Sequence, residues 1–172
     1  MHCIVKRTLS IGLGLAVLCG FSGCSSKATN WRFADSTGQI RDLSDYEGQV
    51  VVISFSNTWC EPCQDAAALL QDLQERFGPS GVKVMTVSCW ERGDPQKWML
   101  EHGYTYGVMV DGTPIARRHK IDQVPTFLVI GVDGRMIYRH DGLSKSTPKK
   151  LAKVVEKHLK RHGGKSYAQH DG

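Results

Sequence analysis

The sequence predicts an α/β domain, a sheet whose strands alternate along the chain with helices. Residues 50–55 (Val-Val-Val-Ile-Ser-Phe) and 82–88 (Val-Lys-Val-Met-Thr-Val-Ser) are short, mostly apolar runs of the kind that buried parallel strands present. Between them, Ala67, Leu70, Leu73 and Phe77 recur with helical period on one face. The same change of period, from strand to helix, recurs further along the chain, which argues for helices packed on a sheet.

The elements follow in order. Trp31-Arg32-Phe33 alternates, turns through Asp35-Ser36-Thr37-Gly38 and returns through Gln39-Ile40-Arg41, which reads as a hairpin. Leu43-Ser44-Asp45-Tyr46 reads as a short capped turn with Ser44 as the cap, ended by Gly48. After the strand at 50–55, a helix runs from about Cys60 to Phe77, with Pro62 in its first turn, where no backbone N–H is needed. Gly78-Pro79-Ser80-Gly81 stops it before the strand at 82–88. Asp94-Pro95, a cap followed by proline, opens a helix through Trp98, Met99 and Leu100 to Gly103. Val108-Met109-Val110 is a short strand, and Thr113-Pro114 starts a helix reaching about His119. Residues 123–130 enter a strand through Pro125, Val132-Asp133-Gly134-Arg135 turns with an Asp-Gly signal, and residues 136–140 return. Thr147-Pro148 caps a last helix with Leu151, Val154, Val155, His158 and Leu159 along one side. Gly163-Gly164 ends it, and the polar remainder reads as a disordered tail, 163–172.

A chain of 172 residues suits one domain plus a targeting segment, and 41% apolar residues suffice for an ordinary core. The net charge of +5, His counted neutral, is spread along the chain apart from a basic C-terminal region, so no nucleic-acid partner is expected. Lys6 and Arg7 followed by an apolar stretch from Ile11 to Phe21 read as a secretory signal, too short to span a membrane comfortably. Phe21-Ser22-Gly23-Cys24 then resembles a bacterial lipobox, although Phe21 departs from the usual Leu. The expected organisation is a lipoprotein signal peptide at 1–23, lipidation at Cys24, a tether at 24–30, and one domain at 31–162. An uncleaved anchor or a plain signal peptide is the other reading of the same pattern.

Cys3 and Cys19 fall in the removed segment, leaving Cys60, Cys63 and Cys89 in the domain. Trp59-Cys60-Glu61-Pro62-Cys63 lies between a strand and a helix. A helix N-terminus offers free N–H groups and a positive dipole end, which favour a thiolate, so a C-x-x-C there points to redox chemistry. A structural disulfide or half of a zinc site are the bland readings, but no second ligand pair follows with zinc spacing. No metal and no cofactor is expected. Cys60, at the helix start, is expected to be the more exposed, attacking sulfur, with Cys63 buried as the resolving thiol. Glu61 either opposes a thiolate at Cys60 or is a solvated first-turn acid. Cys89 is either a small buried hydrophobe or a third redox thiol. His158 and His162, spaced i, i+4, fall on a Lys/Arg-rich helix and read as part of a solvated basic face.

Trp59-Cys60-Glu61-Pro62-Cys63 after a strand, with Val124-Pro125-Thr126 before a later one, resembles the thioredoxin superfamily. The opening hairpin and the extra helix and strand between Asp94 and Val110 resemble its membrane-anchored TlpA/ResA branch. The resemblance implies a thioredoxin-like fold: a central mixed β-sheet flanked by helices, with an N-terminal hairpin and an inserted helix–strand unit. It implies an extracytoplasmic thiol–disulfide oxidoreductase, facing the periplasm if the source is Gram-negative, with Cys60 and Cys63 as the catalytic pair. It also implies that Pro125 is a cis-proline presenting the Val124 backbone to an extended substrate, and that Trp59 is an aromatic flank. Partners would be protein thiols and disulfides, apocytochrome c among them, with an upstream membrane electron donor if the pair is a reductant. Two family acids are missing: Ser54 stands where thioredoxin has a buried Asp, and Ala66 where ResA-like proteins have a Glu. A water or Glu61 would have to replace them. The peroxidase signature P-x-x-x-T-x-x-C is not met. The alternatives in other classes are a thiol-based copper-binding module, with His119 or His140 as the distant ligand, and a disulfide-forming oxidase on the same fold.

Overall fold

The computed structural model describes residues 31–162. The expected signal peptide at 1–23, Cys24 and its tether, and the tail at 163–172 lie outside the described residues. Seven strands form one mixed sheet: β1 (Arg32–Asp35), β2 (Ile40–Asp42), β3 (Val50–Ser56), β4 (Val82–Ser88), β5 (Gly107–Val110), β6 (Thr126–Ile130) and β7 (Met136–Asp141). Their spatial order is β2-β1-β5-β4-β3-β6-β7. Strands β3, β4 and β5 are parallel, while the β1–β2, β1–β5, β3–β6 and β6–β7 pairs are antiparallel. The helices are α1 (Glu61–Phe77), α2 (Pro95–Glu101), α3 (Thr113–Arg118) and α4 (Thr147–His162).

The period of two along β3 explains why its residues are apolar on both sides. Val50 and Val52 face Leu70, Leu73, Leu151 and Val155 of α1 and α4. Val51, Ile53 and Phe55 face a second cluster with Trp31, Leu43, Ile115 and Ile121. The sheet is therefore the middle of three layers, and no residue from Val50 to Phe55 is more than 1% exposed. The inserted unit ends in β5, which pairs on one side with β4 and on the other with β1 of the hairpin.

One boundary expectation is corrected. Leu43–Tyr46 is a 3-10 turn whose cap is Asp42, not Ser44. The Asp42 N–H donates to Asp45 Oδ2 at 3.1 Å, closing the turn from its own end. The hairpin turn is held by Asp35, whose Oδ1 accepts from the Thr37 and Gln39 N–H groups and the Thr37 hydroxyl, while Arg41 pairs with Oδ2 at 3.0 Å.

Candidate redox site

The site is at the C-terminal edge of the central strands, where β3 hands the chain to α1. Cys60 has extended backbone angles and is the N-cap of α1, so its carbonyl accepts the first helical bonds, from Cys63 N–H at 2.9 Å and Gln64 N–H at 3.1 Å. Glu61 and Pro62 are the first two helical residues. Cys63 lies one turn in, and the two cysteines form a disulfide with their Cα atoms 5.2 Å apart. The expected contrast in exposure is small in this oxidised form, 9% for Cys60 against 6% for Cys63.

Strand β6 brings the second motif alongside. Thr126 pairs with Phe55 of β3, which puts the preceding residues beside the disulfide. The Val124–Pro125 peptide bond is cis. The Val124 carbonyl oxygen is 3.7 Å from Cys60 Sγ, an acceptor that a reduced Cys60 thiol could use. Trp59 is half-exposed, not packed in the core. Its Nε1 donates to the Trp90 carbonyl at 3.1 Å, and the Arg92 guanidinium lies 4.7 Å from its ring centre.

Behind Cys63 is a cavity of about 20 Å³, room for a water molecule. Asn57, Thr58, Thr86, Ser88 and Glu91 give it a polar side, and Ala67, Leu70 and Tyr106 an apolar one. Neither missing family acid is replaced at its own position. Ser54 is fully buried and its hydroxyl oxygen has no protein partner among the described residues, and Ala66 is core. The carboxylate that does reach this cavity is Glu91, from the loop after β4, which sequence reasoning missed. Its Oε2 accepts from Thr58 N–H (3.0 Å) and the Ser88 hydroxyl (2.7 Å). Its Oε1 accepts from the Thr58 hydroxyl (2.6 Å), Arg92 N–H (2.9 Å) and Gly93 N–H (3.0 Å). Burial pushes this carboxyl up, but the hydrogen bonds outweigh it and hold it below the ordinary carboxylate range. The available signal was positional: Glu91 follows the end of a parallel strand beside the redox strand, the edge at which open α/β sheets build sites.

The other candidates fall outside the site or into packing. Cys89 is free and buried; its thiol donates to the Ser56 carbonyl at 3.7 Å, and burial together with Glu91 pushes its pKa up to about 12. Cys89 packs as a small hydrophobe in the core cluster on the α3 side of the sheet. His158 and His162 have ring centres 4.3 Å apart, and His158 Nε2 accepts from Val132 N–H at 3.2 Å. His119 packs on Trp31 at 4.3 Å, and His140 Nε2 contacts the Thr147 hydroxyl at 3.0 Å. Among the described residues no group of three or more His, Cys, Asp or Glu side chains could hold a metal.

A two-cysteine ring at a helix start, open to a neighbouring backbone segment, is built for exchange with another disulfide, and the class is that of thioredoxin-fold thiol–disulfide oxidoreductases. A model of the AhpC/TSA family matches residues 24–139, and the chain belongs to that family. It is 25% identical over 142 residues to thiol-disulfide oxidoreductase ResA of Bacillus thuringiensis, covering 78% of this chain and 82% of the relative. It is 24% identical over 162 residues to ResA of Bacillus cereus, covering 90% of this chain and 92% of the relative. Among solved structures, a thiol:disulfide interchange protein DsbE from Chlorobium tepidum, itself of inferred function, superposes with a TM-score of 0.72 at 24% identity. That superposition covers 78% of this chain and 96% of the other.

Proposed function

We propose that this protein is a lipid-anchored, extracytoplasmic thiol–disulfide oxidoreductase that reduces disulfides in partner proteins. The observation that carries the reading is the Cys60–Cys63 disulfide at the start of α1 beside the Val124–Pro125 segment. In the working direction the Cys60 thiolate attacks one sulfur of a substrate disulfide, and the other substrate sulfur leaves as a thiolate that takes up a proton. Cys63 then loses its proton and attacks Cys60 Sγ, releasing the second substrate thiol; the substrate gains two electrons and the protein loses them as the Cys60–Cys63 bond forms. The Val124 backbone offers strand-like hydrogen bonds to an extended peptide. Trp59, half-exposed, is the flank on the other side, and Pro62 sets the first turn that spaces the two sulfurs. Glu61, exposed in that turn, opposes a thiolate at Cys60 and favours a reducing couple.

The substrate class is partner-protein disulfides, with apocytochrome c cysteines as the member suggested by the ResA resemblance. An upstream membrane donor would re-reduce the pair. Residues 1–23 are assigned as signal peptide, Cys24 as the lipid site, 24–30 as tether, 31–162 as the redox domain and 163–172 as tail. The test is reduction of insulin or a model disulfide peptide by dithiothreitol-charged protein, comparing wild type with Cys60→Ser. Wild type is expected to turn over and the variant not; equal rates would end the redox reading. A companion fractionation of Cys24→Ser should move the protein out of the membrane pellet, and a variant that stays there would exclude lipidation.

A further inference from the structure

We infer that Glu91 is the acid of this redox couple, a fixed negative charge behind Cys63 that makes the Cys60–Cys63 pair a stronger reductant. The inference rests on the exchange reading above and adds to it a residue far from the motif. Three observations point the same way. Glu91 and Cys63 line the same cavity, which has room for a water molecule. All five donors to the Glu91 carboxylate are neutral, two hydroxyls and three backbone N–H groups, so they hold it ionised without cancelling its charge. Asn57, also on the cavity wall and 5% exposed, has an Oδ1 with no hydrogen-bond partner among the described residues.

A like charge disfavours ionisation of a nearby thiol. With the thiolate less stable, the dithiol form loses stabilisation relative to the disulfide, and the couple gives up electrons more readily. Glu91 also ties the active-site loop to the β4–α2 loop through Thr58, two residues before Cys60. Charge and positioning must therefore be separated. The titratable and charged groups around Glu91 are Cys63, Cys89 and Tyr106 on the inner side, Arg92 beside Trp59, and Asp94 and Asp111 on the outer surface. Burial pushes both the Cys89 thiol and the Tyr106 phenol well up, so neither changes charge near neutral pH.

The experiment is a redox titration against glutathione, with the Cys60 thiolate followed by ultraviolet absorbance across pH, on wild type, Glu91→Gln, Glu91→Asp and Thr58→Val. Glu91→Gln should make the pair more oxidising by about tenfold in the equilibrium constant, about 30 mV for two electrons, and should lower the Cys60 pKa. Glu91→Asp and Thr58→Val, which keep the charge, should remain within about threefold of wild type. A Glu91→Gln protein with an unshifted potential, or a Thr58→Val protein that shifts as far as Glu91→Gln, would overturn the inference. If wild type and Cys60→Ser reduced insulin equally, it is the exchange reading that would fail instead.

Discussion

Replacing Leu70 by alanine tests the packing that carries the redox helix. Leu70 is 2% exposed, belongs to the cluster joining α1 to the sheet and α4, and forms part of the apolar wall of the cavity behind Cys63. Removing three methylene-sized groups at about 0.8 kcal/mol each loses about 2.4 kcal/mol of transfer free energy. A residual void of about 40 Å³ adds about 1 kcal/mol at about 24 cal/mol per Å³. The sum, about 3.4 kcal/mol, sits inside the range of about 2.7–5.0 kcal/mol measured for such truncations elsewhere. It falls toward the low end because the new space opens onto a void that already has polar walls. For a chain of this size the melting point should drop by about 7–14 °C. Urea unfolding of the oxidised protein, with tryptophan fluorescence as the probe, reads the loss directly, and Leu70→Met, which nearly conserves volume, should lose less than about 1.5 kcal/mol. A Leu70→Ala loss below about 1 kcal/mol would show that α1 is not packed on the sheet as described.

Acid should weaken the fold through the hairpin. The Thr37 hydroxyl bond, with help from Gln39 N–H, Arg41 and Thr37 N–H, holds the Asp35 carboxyl down at about 2 against an ordinary 3.8. A depressed carboxyl contributes stability that is full above about pH 4 and is lost as pH falls through about 2. Asp141 and Glu91, also held low, add in the same direction. Urea midpoints between pH 5 and pH 2 should therefore fall for wild type and fall less for Asp35→Asn; parallel curves would remove Asp35 from the account. Gly112→Ala should cost about 1–3 kcal/mol by overpacking, because a Cβ there would meet the Val87 side chain and stand 2.9 Å from the Ser88 carbonyl oxygen. Since Ser88 holds Glu91, that variant should also alter the redox potential, and a stable Gly112→Ala protein with unchanged potential would contradict both statements.

Much of this was legible in the chain, for physical reasons that differ by element. The strand Val82–Ser88 was readable to the residue because a parallel strand covered on both faces is apolar along most of its length, here Val82, Val84, Met85 and Val87. The α2 start was readable because Asp94 caps it through its own side chain, accepting from Lys97 N–H, with Pro95 following. Asp42 was missed as a cap because it also ends β2, so the strand signal masked the turn signal. Glu91 was missed because its partners are created by the fold: Thr58 lies 33 positions away, in a loop with no periodicity to expose the pairing. The near-equal exposure of the two cysteine residues was not legible either, because the Val124 segment that leads into β6 lies against Cys60.

The order of the strands also sets a timetable for synthesis. Ala34 of β1 finds its β5 partner only in Val110, 76 positions further along the chain. At about 5–20 residues per second, that interval is about 4–15 s on the ribosome. Until then β1 and β2 are a lone two-stranded ribbon, a form that is marginal in water, and Trp31 and Phe33 lack the β5 side of their cluster. A chain intercepted during that interval is open at one end of its sheet and still sticky. It is therefore in the state that a chaperone can hold, or a translocation channel can thread, before the last strands arrive and lock the redox edge into place.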